Sequence, residues 1–436
     1  MEHLLFCFSW VQVEELINHC TAIPLRMRLI VIGGGAAGFF CAINAARLNN
    51  RLEVAIVEKS GKLLSKVRVS GGGRCNVTHA CFSIEEMMGK YPRGAHFVKK
   101  AFHRFFTTDT IEWFRERGVE LKTEEDGRMF PITDSSETII NCLLKEIDRY
   151  GIKVMMNREV NSLKKTDERW QVVFSNGEIQ EADSVCIACG GYSKLAMFEW
   201  IQQLGHTIEP PVPSLFTFNL PGDPITALMG IALPAAKVKI QGTKLEEEGP
   251  LLITHWGLSG PAILKLSARG ARELASRNYQ FTVRVNWAPA FHEQALRVKL
   301  QDFRQEIPAQ KISSRGALGI PHRLWEYLCS ASGIGENLRW ADLSSATMGE
   351  LVKKINGQEF SVSGKTTFKE EFVTAGGIKL SEIDPNTMQS KLVPGLFIAG
   401  EIMDVDGVTG GFNFQHAWTS GWIAANGIIS SVSGIG

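Results

Sequence analysis

At 436 residues, 44% of them hydrophobic, the chain is long enough for two or three domains and a substantial buried core. Lys and Arg total 47 against 46 Asp and Glu; the net charge of +1 gives no general pull towards nucleic acid, so no nucleic-acid partner is expected. No apolar stretch approaches the roughly 20 residues that span a bilayer, and nine cysteines without regular spacing fit a reducing cytoplasm rather than a disulfide framework.

Residues 1–27 read as a leader. The apolar run from Leu4 to Trp10 is preceded by Glu2 and followed by Glu14 and Glu15, without the basic start and cleavage site of a secretory signal. Met27 stands immediately before the first predicted strand and is the expected natural start. Leu29 to Ile32 then runs straight into Gly33-Gly34-Gly35-Ala36-Ala37-Gly38, and apolar residues at helical spacing follow through Leu48. A second strand, Val54 to Val57, ends at Glu58, with Lys59 next. Strand, glycine turn, helix, strand and acid together form the βαβ dinucleotide fingerprint in its required context. Gly33 permits the tight turn, Gly35 lets backbone approach the pyrophosphate, and Gly38 lets helix and sheet pack closely. The helix start offers N–H donors to phosphate, and Glu58 accepts from the adenosine ribose.

A second cluster, Ser70 to Asn76, follows too soon to be needed for NAD but suits the longer FAD. In it Gly73, Arg74, Cys75 and Asn76 are expected at the cofactor, Arg74 meeting phosphate or flavin oxygens. Asn161 to Phe174 predicts a hairpin, and Val160 is placed at the end of a strand whose backbone bonds the adenine. In Cys186-x-x-Cys189 the first cysteine lies in a predicted strand, Ser184 to Ala188, rather than opening a helix, which favours packing over dithiol chemistry. Pro210 to Pro213 marks a boundary. Ala236 to Ile240 and Phe281 to Val285 read as strands, whereas His292 to Phe303, Leu324 to Cys329 and Met348 to Ile355 read as helices. Near the C-terminus a strand from Gly395 ends in Gly400-Glu401, an acid suited to ribityl hydroxyls. Gly410, Gly411, Phe412 and Asn413 precede a helix over Ala417 to Ala425, whose start can aim N–H groups at the flavin N1/C2=O edge. The domains expected are a cofactor domain over 28–192 and 366–436 and an insert over 193–365, β-rich to 290 and helical over 291–357.

Several blocks resemble the BaiN/RdsA family of FAD-dependent oxidoreductases, which includes aminoacetone oxidase-type flavoproteins. They are Ile32 to Gly38, Ser70 to Asn76, Gly127 to Pro131, Ala188 to Gly191, Thr254 to Pro261, Thr374 to Gly377 and Ala399 to Gly421. The resemblance implies an α/β fold: a glutathione-reductase-like FAD-binding Rossmann core interrupted by an insert with a β-barrel-like part and a helical part. It also brings Gly190 to the cofactor. The chain departs from the family at Cys189, where Thr is usual, and at the shorter, glycine-poor segment Tyr192 to Phe198.

The function expected is FAD-dependent oxidation–reduction of a small organic substrate, with FAD held non-covalently and NAD(P)H as a transient electron donor. A flavin-dependent amine oxidase making hydrogen peroxide is the alternative, ahead of a tRNA-modifying or non-enzymatic flavoprotein. A second Rossmann unit for the nicotinamide is not found, since Ser330 to Gly335 follows a helical stretch rather than a strand. His255 is either an acid, base or carbonyl donor, or a residue fixing the insert against the cofactor domain. Arg128 holds either a substrate oxygen or an internal phosphate or carbonyl. Trp256 covers the flavin or lies in the core; Asn413 and His416 contact the ring or serve as N-terminal polar groups. No His, Cys or Asp cluster has metal spacing. Oligomeric state is left open.

Overall fold

The computed structural model describes residues 27–166, 169–367 and 373–433, so the leader expected over residues 1–26 lies outside the described residues. Five strands form one parallel sheet in the order Leu396–Ile398, Ser184–Ile187, Arg28–Ile32, Glu53–Val57, Lys153–Met155. Strands covered on both faces must be apolar throughout, and Leu29, Ile30, Val31 and Ile187 are accordingly buried. Burying each such side chain contributes about 1.5–3 kcal/mol. Because the strands are parallel, Gly33, Glu58, Ala188 and Ala399 all emerge at the same edge of the sheet.

Helix Ala36–Leu48 packs against the C-terminal helix Phe412–Ser433. They approach so closely that a Cβ on Gly421 would lie 2.7 Å from the Ala37 carbonyl oxygen. The C-terminal helix is longer than the predicted Ala417 to Ala425, since nothing after Gly411 breaks it until its end. Val160 differs from expectation: it begins a strand, Val160–Lys165, which pairs with Trp170–Phe174 and through it with Ile179–Ala182. Asn157, in the left-handed region at φ 56°, turns the chain just before it, and the Arg158 N–H bonds the Glu58 carbonyl at 2.9 Å.

The insert contains a seven-stranded antiparallel sheet whose edges are Gln358–Ser363 and Lys365–Thr366. Only Gly364 separates those two edges. Its N–H donates to the Tyr279 carbonyl at 2.9 Å, and its carbonyl accepts from the Asn219 N–H at 3.2 Å. The sheet therefore curls until its ends meet, which makes this part barrel-like. Helices Glu293–Glu306, His322–Ala331 and Ser345–Gly357 stand where the apolar periodicity predicts them.

Two apolar cores result, the insert's running from Phe216 to Val362. The break thus falls later than residue 193, because Phe198, Trp200, Ile201 and Ile208 are buried in the first core. The two crossings between the cores lie side by side as an antiparallel pair, Ile208–Ser214 with Val373–Ile378. Pro210, Pro211 and Pro213 fall inside the first of these strands. The register shifts between Glu209 and Val212, as expected where proline supplies no N–H.

Candidate functional site

The site assembles at the C-terminal edge of the parallel sheet, where open α/β folds bind their ligands. Gly33 adopts φ +119°, and a Cβ there would lie 2.4 Å from the Ala188 carbonyl oxygen; one on Gly38 would lie 2.0 Å from the Gly33 carbonyl oxygen. The turn is therefore closed to side chains on its inner side. Gly35 is the opposite case: a Cβ there would meet nothing within 4 Å. The helix it caps has no side-chain cap bond and no acidic residue in its first turn, so its N–H groups, including those of Ala36 and Ala37, favour an anion. Glu58 is oriented by the Gly34 N–H on one oxygen at 2.9 Å and by Ser60 on the other at 2.9 and 2.8 Å. Lys59 is exposed, its ammonium 5.5 Å from the centre of the Tyr192 ring. The Ala188 to Gly191 loop passes over Gly33, with Gly190 in the left-handed region at φ +77°.

Ser65 begins a helix that ends in a kink rather than a simple loop: Gly71, Gly72 and Gly73 have φ of +59°, +69° and +86°. The kink brings Asn76 to the start of the C-terminal helix. Its side-chain nitrogen donates to the Thr78 carbonyl at 2.9 Å and its oxygen accepts from the Gly411 N–H at 3.0 Å. A Cβ on Gly411 would sit 2.5 Å from the Thr78 carbonyl oxygen, so the two glycine blocks meet backbone to backbone. Cys75 is fully buried, and burial pushes its thiol up to about 12, which suits packing rather than redox chemistry. Asn413 closes on the backbone of Gly407, accepting from its N–H at 2.8 Å and donating to its carbonyl at 2.9 Å. Phe412 is buried and packs on His79 with ring centres 4.6 Å apart.

Gly400 is buried against Ala37, and Glu401 follows it into the site. One Glu401 oxygen accepts from the Thr374 N–H at 2.9 Å and the other from the Lys66 ammonium at 2.5 Å. Thr374 is fully buried and its hydroxyl oxygen has no hydrogen-bond partner in the protein. His416 bonds the Gly400 carbonyl through Nε2 at 3.3 Å, while its buried Nδ1 has no partner. Burial lowers its pKa to about 4, so the ring is neutral near pH 7.

Two expected residues have other partners. The Arg74 guanidinium lies 4.0 Å from the centre of the Phe130 ring and 2.6 Å from Glu124, and it bonds the Gly71 carbonyl at 3.3 Å. Arg128 is held by Asp126 at 2.7 Å and Glu124 at 2.9 Å. These carboxylates and the aromatic face satisfy both guanidiniums without a ligand. His255 is exposed at the turn between Glu246–Thr254 and Gly257–Ser259, edge-on to Trp256 at 4.3 Å. The Trp256 indole donates to the Thr217 hydroxyl at 2.9 Å, within the insert.

Sequence reasoning passed over four residues: His79, Lys66, and the pair Arg93 and Asp406. His79 fits between Gly127 and Phe412 and bonds the Gly410 carbonyl at 3.0 Å through Nδ1. Its place directly after the Ser70 to Asn76 block was the available signal. Arg93 forks onto fully buried Asp406 and donates to the Ala268 carbonyl at 2.7 Å, while the Ser214 hydroxyl donates to Asp406 at 2.8 Å. This joins the cofactor domain to the insert, and no local motif announces it.

The model of the HI0933-like protein Rossmann domain family matches residues 27–427. The chain belongs to this family. Its core is the parallel sheet of a Rossmann domain. It is similar to a protein of Haemophilus influenzae named ribosomal RNA dihydrouridine synthase, 31% identical over 91% of this chain and 97% of that one. It is also similar to the 3-dehydro-bile acid delta(4,6)-reductase of Clostridium scindens, 27% identical over 91% of this chain and 98% of that one. Among solved structures, a 3-ketosteroid-delta4-(5alpha)-dehydrogenase of Rhodococcus jostii is 14% identical, with 93% of this chain and 98% of that chain covered and a TM-score of 0.49. No helix among the described residues is long and apolar enough to cross a membrane.

Proposed function

We propose that this HI0933-like protein binds FAD non-covalently and uses it to reduce a carbon–carbon double bond conjugated to a carbonyl in a small organic substrate, with NAD(P)H as the electron donor. The observation that carries the reading is the meeting of three glycine-rich segments around Glu58 and Glu401 at one edge of the parallel sheet. Bound FAD supplies two-electron hydride chemistry; the protein binds, orients and excludes water. The turn at Gly35 and the free helix start take the pyrophosphate, and Glu58 takes the adenosine ribose. Glu401 takes the ribityl hydroxyls. The start of helix Phe412–Ser433 offers N–H groups to the edge of the ring where charge collects. His255 is the candidate for donating a proton or polarising a carbonyl from the insert, and Arg128 is the second candidate once a ligand displaces its carboxylates.

The substrate class draws support from the names of two relatives. One denotes reduction at the 4,6 positions of a dehydro-bile acid, the other addition of hydrogen to uridine. Both reactions saturate a double bond made electron-poor by a carbonyl. The second name also favours uridine in RNA as an alternative substrate. Anaerobic spectra of the purified yellow protein with NADH and NADPH in turn test the donor. Reoxidation by an unsaturated ketone supports the main reading, and dihydrouridine formation in an rRNA transcript supports the alternative. Peroxide formed from a small amine in air, with no bleaching by either nicotinamide, would overturn both in favour of an amine oxidase.

A further inference from the structure

The sheet edge carries an ion pair that neither the motifs nor the family assignment explains. Lys66 Nζ lies 2.5 Å from Glu401 Oε2, although the two residues are far apart in sequence. The segment bearing Lys66 begins at the first glycine turn, where the Leu64 N–H donates to the Gly34 carbonyl at 2.9 Å. It therefore runs from the phosphate-binding turn to Glu401, along the path that links the two ends of the cofactor. The other Glu401 oxygen faces two different segments: it accepts from the N–H of Thr374, in the strand Val373–Ile378, and would lie 3.1 Å from a Cβ on Gly191, in the Ala188 to Gly191 loop. The Thr374 hydroxyl beside it is buried without a partner, a polar group left for a ligand to satisfy. The Glu401 side chain is 17% exposed and that of Lys66 44%, so the carboxylate is partly desolvated while the cation reaches it from the open side.

We propose that Lys66 is a positioning residue of the flavin cradle, fixing the Glu401 carboxylate as a ribityl acceptor and cancelling its charge beside the cofactor. This rests on the FAD reading above. A lone carboxylate next to the flavin disfavours added electrons; paired with Lys66, it keeps its acceptor oxygens without that penalty.

The test compares wild type, K66M, K66R and K66M/E401Q, each stripped of flavin and titrated with FAD by fluorescence. The reduction potential of the bound flavin is then read against reference dyes. K66M is expected to weaken FAD binding roughly tenfold, the size of one charged hydrogen bond, and to move the potential negative. K66R should restore both, and adding E401Q to K66M should bring the potential back. Equal affinity and potential in wild type and K66M, or a potential that E401Q does not move, overturns the role of Lys66. A wild-type protein that takes up no FAD overturns the underlying reading as well, so the two failures are told apart. K66R, which keeps the charge, separates loss of the ion pair from disturbance of the helix.

Discussion

Replacing Gly35 by valine separates cofactor binding from folding. Gly35 has φ −97° and ψ −173°, extended backbone that any residue adopts, and a Cβ there meets no protein atom within 4 Å. An apolar residue at this helix cap costs up to about 1 kcal/mol, and the stiffer unfolded chain returns about 0.4–1 kcal/mol. The flavin-free variant should thus keep its stability to within about 1 kcal/mol. The branched side chain instead fills the space in front of the helix start. Each N–H bond to an anionic phosphate is worth about 1.5–3 kcal/mol, so losing two raises the FAD dissociation constant by roughly two to four powers of ten. Flavin-to-protein ratio after purification, followed by FAD titration of stripped protein, measures this directly. Thermal melts give a second reading, since FAD at about a hundred times its dissociation constant stabilises the wild type by about 2.7 kcal/mol; the variant should gain almost nothing. Gly38→Val is the control: its Cβ would lie 2.0 Å from the Gly33 carbonyl oxygen, so this protein should fail to fold. A Gly35→Val protein holding stoichiometric FAD with wild-type affinity would refute the placement of the pyrophosphate at this turn.

Asp406→Ala leaves the Arg93 guanidinium buried without its anion and should cost roughly 3–5 kcal/mol in urea unfolding; a loss under 1 kcal/mol would show the clamp to be idle. His416 supplies a pH dependence. Its pKa falls from 6.5 to about 4 on folding, so between those values the unfolded chain binds the extra proton and stability drops as pH falls. The full effect is of order 3 kcal/mol, and His416→Gln should flatten that part of the stability–pH curve. Burial pushes the Cys189 thiol up to about 11, so Cys189→Thr should leave FAD content and turnover unchanged. Loss of turnover with full flavin would argue for thiol chemistry.

What the sequence determined by itself was local. Leu29 to Glu58 specifies strand, turn, helix, strand and acid within one short segment, and each piece draws its conformation from its neighbours. The helices of the insert were legible for the same reason, because apolar spacing reports on one element at a time. Residue 193 was a plausible boundary, yet Phe198 and Trp200 bury in the first core, and only packing decides that. The partners of the charged residues were likewise hidden. Arg74 looks free in sequence, but folding delivers Glu124 to it from a distant segment, whereas Arg128 takes Glu124 and Asp126 from its own turn. Lys66 carries no motif; it gains meaning only where the parallel sheet brings Glu401 to it. Periodicity and turn chemistry act over a few residues. The choice of partner for a long charged side chain is made by whichever opposite charge the tertiary fold brings within reach.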